Sequence, residues 1–243
     1  MTIWHIHMLN ARNALTPIMA EARAAARRAV ALAETHFDLP RFDLVLRAAD
    51  RPIADGGLLA RPPERGVIDI TLSPDRVTAP VLNRALMREL HHVARHEGAG
   101  YGRSLGEVLV SEGLAAHFAA RVLALPPDPR EAARPAGGSL KQVSNLWSRH
   151  DFGFEEWFLG RGRIRKGTGY AIGHRLVGQW LGDEGPADPA AMLALRADAL
   201  RPALRRLMAA EGVEEEDAPE DAPQDAPEAD LPTGDTPAGE ARP

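Results

Sequence analysis

The chain changes character at Glu211. From there to Pro243 it carries 12 acids and one base, Pro at short regular intervals and no aromatic residue. Its only large aliphatic residues are Val213 and Leu231. Such a segment cannot bury enough apolar area to offset the entropy of ordering it. Folding is therefore expected to be confined to residues 1–210, as one domain, with 211–243 a disordered acidic Pro-rich tail. The tail holds a net −11 while the whole chain holds −5, so the body is mildly basic at +6.

Within 243 residues, 44% hydrophobic and 26% charged is ordinary for a globular domain able to bury a core. No cysteine is present. That excludes a disulfide framework, thiol catalysis, Cys-ligated zinc and iron–sulfur clusters, so any metal must use His, Asp or Glu. No apolar run approaches the roughly 18–20 residues of a membrane span. Met1-Thr-Ile-Trp-His5 lacks the basic and apolar regions of a secretory signal, so a cytoplasmic address is expected.

The body reads as α+β, mostly helical. Thr16-Pro17 opens a helix to about His36, with Ile18, Ala22, Ala25, Ala29 and Leu32 on one face. Phe42–Ala48 and Val67–Leu72 alternate apolar and polar residues like half-buried strands, and Leu58-Leu59 suits a short third strand. Thr78 and Pro80 start a strongly amphipathic helix that Gly98 stops. After the loop Gly98–Gly102, Ser104 and Glu107 have capping-box spacing, so a second long helix runs from there to about Leu125. Phe152–Leu159 is an aromatic-rich turn or short helix. Thr168–Leu181 is helical, and Asp188-Pro189 begins a last helical region to about Ala210.

The chemistry-bearing segment is Arg88-Glu89-Leu90-His91-His92. A zinc-peptidase helix carries His-Glu-x-x-His: the two His lie about 40° apart around the helix and the Glu serves a metal-bound water. Here Glu89 and His92 hold the base and second-ligand positions, and Arg88 stands at the first ligand position. Glu112 follows twenty residues after His92, beside the apolar Val110, Leu114 and Phe118, with Gly113 allowing close helix approach. His96 shares a face with His92, so His92, His96 and Glu112 make an alternative donor set, although Val93 then stands where a base is needed. His91 is about 100° from His92, and His117 about 140° from Glu112, each off the shared direction.

These runs, with Gly100-Tyr101-Gly102, Glu112-Gly-Leu-Ala115 and Thr168-Gly-Tyr170, resemble a bacterial family of predicted Zn-dependent proteases, over about residues 40–182. The resemblance implies a zincin-like fold, with a small sheet beside the two motif helices, and a gluzincin-like zinc site. It implies Glu89 as general base, His92 and Glu112 as zinc ligands, and Tyr170 or His174 as oxyanion stabiliser. Arg88 departs from the family's first zinc-binding His.

Two functions follow: a metallopeptidase cutting peptide bonds by a metal-activated water, or a non-catalytic pseudoprotease acting as a binding or regulatory module. Either takes a peptide or protein as substrate or partner. The basic run Arg161–Lys166 reads as a solvated loop; without a helix-turn-helix signature, nucleic acid is not the expected partner, and neither is a membrane. Arg88, always charged and forked to suit a carboxylate, is expected to pair with Glu112, or else Glu89, where the metal would stand.

Overall fold

A computed structural model describes residues 2–183 and 188–212. The acidic tail reading therefore falls almost entirely outside the described residues. The fold is α+β: a four-stranded sheet lies against helices, and further helices extend from it. The strands are β1 (Trp4–Leu9), β2 (Phe42–Ala48), β3 (Leu58–Ala60) and β4 (Val67–Leu72). Their spatial order is β1-β2-β4-β3, with β1, β2 and β4 parallel and β3 antiparallel at one edge.

Period-2 alternation gives the sheet one buried face. Phe42, Leu44, Leu46, Ile68, Ile70 and Leu72 turn toward α1 (Met19–Ala33) and α2 (Ala79–Arg95). The α1 contribution is mostly alanine, which lets that helix lie close. The opposite face is polar: His7 Nε2 pairs with Asp43 Oδ1 at 2.8 Å, and the Arg47 fork grips Asp69 at 3.0 and 2.6 Å.

A second apolar cluster is built by α3 (Leu105–Val122), α5 (Ser139–Leu146), α6 (Phe154–Leu159), α7 (Thr168–Asp183) and α9 (Arg201–Ala210). Two short helices, α4 (Pro129–Ala132) and α8 (Pro189–Leu193), complete the described α-helices. The capping box of α3 forms: Ser104 Oγ accepts from Glu107 N, and Glu107 Oε2 accepts from Ser104 N. Gly113 of α3 and Gly173 of α7 face each other so closely that a Cβ on either would collide with backbone of the other helix. Glycine is required there by contact, not by dihedral angle.

Several elements differ from the sequence expectation. β1 was not anticipated, because histidines alternating with Trp4, Ile6 and Met8 give weak polar contrast. α4 and α5 were not anticipated either, being too short for a clear period. The last helical region breaks into α8, a 3₁₀ turn at Ala197–Leu200 and α9. No helix among the described residues is long and apolar enough to cross a membrane.

Candidate active site

Helix α2 lies between the sheet layer and α3, so its C-terminal half is buried on every side. Arg88, Glu89, His91, His92 and Arg95 are all buried, although the sequence there is strongly polar. Buried charge must be partnered: Arg95 donates to Ser111 Oγ and to the Met192, Leu193 and Leu195 carbonyls, and the partners of Arg88 come from α3 and α4.

Glu112 comes from the middle of α3. Its Oε2 accepts from Arg88 Nη2 at 2.6 Å, and its Oε1 accepts from the Tyr101 hydroxyl at 2.6 Å. His92 Nε2 stands 3.5 Å from the same Oε1. Burial alone would raise the Glu112 carboxyl, but His92, Arg88 and Tyr101 outweigh it and hold the group well below the usual carboxylate range.

Glu131 comes from α4. Its Oε1 accepts from Arg88 Nη1, while its Oε2 caps its own helix by accepting from Asp128 N at 2.8 Å. Arg84 Nη1 lies 3.7 Å from that Oε2. Arg88 is thus a two-armed bridge between Glu112 and Glu131, with 4%, 8% and 1% of the three side chains exposed. Burial works against the Arg88 charge, and the two carboxylates overcome it, raising its pKa.

Tyr170, from the first turn of α7, forms the other wall. The Arg130 guanidinium lies 4.1 Å from its ring centroid and that of Arg88 5.5 Å. Burial and then Glu112 push its hydroxyl up to about 12. Glu89 is buried beside this cluster. Burial raises its carboxyl to about 7, with Glu112 adding to the rise and His92, Arg88 and Arg130 opposing it.

The structure therefore brings Arg88, Glu89, His92, Glu112 and Tyr170 together. His174 lies one turn beyond Tyr170 and turns to α3, stacking on His117 with ring centroids 4.1 Å apart and planes at 9°. His117 Nε2–H donates to the His174 carbonyl at 2.8 Å. His96 caps the end of α2 beside Pro63 and Arg65, away from Glu112. His91 is enclosed by Phe37 and Phe118. The alternative His92–His96–Glu112 donor set does not assemble.

Glu131, Tyr101 and Arg130 were missed by sequence reasoning. Tyr101 is the centre of Gly100-Tyr-Gly102, whose pattern assigns it no role. Asp128-Pro-Arg-Glu131 has capping-box spacing, a signal that locates α4 but not the direction of its glutamate.

Zinc does not fit this donor set. Glu112 has both oxygens engaged, one of them by a guanidinium that supplies the neighbouring positive charge. His92 Nε2 stands beside it, but among the described residues no group of three His, Asp or Glu side chains is arranged to hold a metal. A resident zinc would need at least three such donors.

No characterised protein matches the chain at a significant level. A family model does, over residues 21–201, which include every residue of the cluster. The chain belongs to the family described as Predicted Zn-dependent protease (DUF2268).

Proposed function

We propose that this chain is a non-hydrolytic member of its family: a zinc-protease scaffold, zincin-like in its helix pair, that works as a peptide- or protein-binding module. The observation that carries the reading is Arg88, buried between Glu112 and Glu131 where a metal would contact Glu112. At an effective dielectric near 20, charges 4 Å apart repel by about 4 kcal/mol per unit charge product, twice that against a divalent ion. The arginine neutralises the carboxylate a metal would bind and opposes the metal's entry. In this reading Glu89 and Tyr170 are retained polar lining, with no activated water to serve.

A second reading has support. Family membership, and a Glu89 carboxyl placed near neutrality as a general base would be, favour an active zinc peptidase in which Arg88 swings away. One experiment separates the two: zinc content and casein hydrolysis of protein purified without an affinity tag, beside an Arg88→His variant. The proposal expects substoichiometric zinc and no chelator-sensitive hydrolysis in the parent, with zinc uptake in the variant. Stoichiometric zinc and chelator-sensitive hydrolysis in the parent overturn it.

A further inference from the structure

Strand β1 is the bare edge of the sheet. It pairs only with β2 among the described residues, and it is six residues long. Natural edge strands are protected by charge, proline, brevity or a bulge. The opposite edge has such protection, since β3 spans three residues and runs into Arg61-Pro62-Pro63. β1 has none: Ile3 to Leu9 contains no Lys, Arg, Asp, Glu or Pro. Only three large apolar side chains are strongly exposed among the described residues, and two of them stand at the ends of this strand: Ile3, just before it, at 55% and Leu9, its last residue, at 53%.

The backbone of the edge is also oriented for pairing. Asp43 N donates to Gly66 O on the β4 side. By alternation, Phe42, Leu44 and Leu46 turn their peptide groups to β1, where they bond residues flanking their partners Trp4, Ile6 and Met8. Trp4, Ile6 and Met8 therefore turn their own N–H and C=O groups outward.

We propose that β1 pairs antiparallel with β1 of a second copy of this chain, with the two-fold axis at Ile6, joining two sheets into one of eight strands. An isologous contact requires a self-complementary strand, and this strand is one. About Ile6, Trp4 faces the second copy's Met8 in the hydrogen-bonded pairs. Ile3 faces the second copy's Leu9, and His5 faces its His7, in the non-hydrogen-bonded pairs, where side chains approach most closely. Sliding the register by one pair either way sets Ile3 or Leu9 opposite a polar residue instead. Because the strand carries no ionised acid or Lys/Arg, self-pairing brings no such like charges together. The contact is small, below about 1,200 Å², so the dimer belongs to the weak, micromolar class.

The test is sedimentation equilibrium of the full chain from micromolar to hundreds of micromolar, with two surface variants. Ile3→Lys with Leu9→Lys sets like charges opposite each other in this register. Ile3→Lys with Leu9→Glu sets opposite charges together at both ends. The expected result is a concentration-dependent dimer in the parent, weakened about tenfold or more by the Lys/Lys pair and retained by the Lys/Glu pair. Equal melting temperatures confirm that both variants fold. A parent that stays monomeric, or a dimer that survives the Lys/Lys pair, overturns the proposal. A dimer lost in both variants overturns the register.

Discussion

Arg88 and Glu112, 24 residues apart in the chain, meet at 2.6 Å in the interior, and the same guanidinium holds Glu131 with its other arm. The pair joins α2 to α3, and the Glu131 arm ties α4 down across them. Without Arg88, two carboxylates would be left in a site from which water is excluded. Removing one partner of such a buried pair costs about 3–5 kcal/mol, mostly because the other charge is stranded. Arg88→Ala should lower the unfolding free energy read from urea titration by that amount, and Arg88→Ala with Glu112→Gln and Glu131→Gln should recover part of the loss. A single variant within error of the parent would show that the bridge contributes nothing.

Glu89 and Glu112 oppose each other in their response to pH. Burial raises the folded Glu89 carboxyl to about 7 from an ordinary 4.5. Below the ordinary value both folded and unfolded chains hold this proton, and its contribution to stability is complete. Between the two values only the folded chain holds it, so stability falls as pH rises, by on the order of 3 kcal/mol. Glu112 is depressed when folded, so its contribution is present at neutral pH and is lost as pH falls below the ordinary carboxylate range. Glu89→Gln should therefore flatten the loss of stability from pH 5 to 8 while leaving the acid side unchanged. Urea titrations at pH 5, 6, 7 and 8 read this directly, and identical slopes for parent and variant would refute it.

How far the site was legible depends on the reach of each signal. The helix period and the Ser104 capping box fix where α2 and α3 run, and that is enough to anticipate Arg88 against Glu112. Nothing local fixes Glu131: α4 spans four residues, and its glutamate reaches Arg88 because the Pro126–Pro129 stretch carries the chain back over α2. Tyr170 and His174 are both on α7, yet only Tyr170 joins the cluster, since the stacking partner of His174 is decided by how α7 lies on α3. β1 was hidden by histidine, too weakly polar to mark an alternating strand.

The His117–His174 stack makes a spectroscopic prediction. Burial and then the neighbouring ring lower His174 to about 4, and burial lowers His117 as well. A histidine depressed in the folded state contributes stability above its ordinary pKa and loses it as pH falls toward the folded value. The imidazole resonances of His174 should stay at their neutral-form positions from pH 8 down to about 5.5, where an unperturbed His, near 6.5, is mostly charged, and the midpoint of His117 should fall below the ordinary histidine value. A titration midpoint near 6.5 for either ring would show that the stack opens in solution.

The closest approach in the helical layer sets the last prediction. Gly113 and Gly173 let α3 and α7 touch through their backbones: a Cβ at Gly113 would penetrate the Gly173 carbonyl, and one at Gly173 would penetrate the Leu109 carbonyl. Neither obstacle is a flexible side chain, so relief requires moving a helix. Glu112 precedes Gly113, and Tyr170 lies one turn before Gly173, so the shift would also separate the walls of the cluster. Overpacking typically costs 1–3 kcal/mol and more where backbone must move. Gly113→Ala and Gly173→Ala should each lose at least about 2 kcal/mol, even though alanine is the better helix former by about 1 kcal/mol. Gly182→Ala, on the same helix with nothing within 4 Å of the added Cβ, is the control and should be neutral or stabilising. Urea unfolding of the three variants decides: no loss at Gly113 and Gly173 relative to Gly182 would mean that backbone contact between the two helices does not govern these positions.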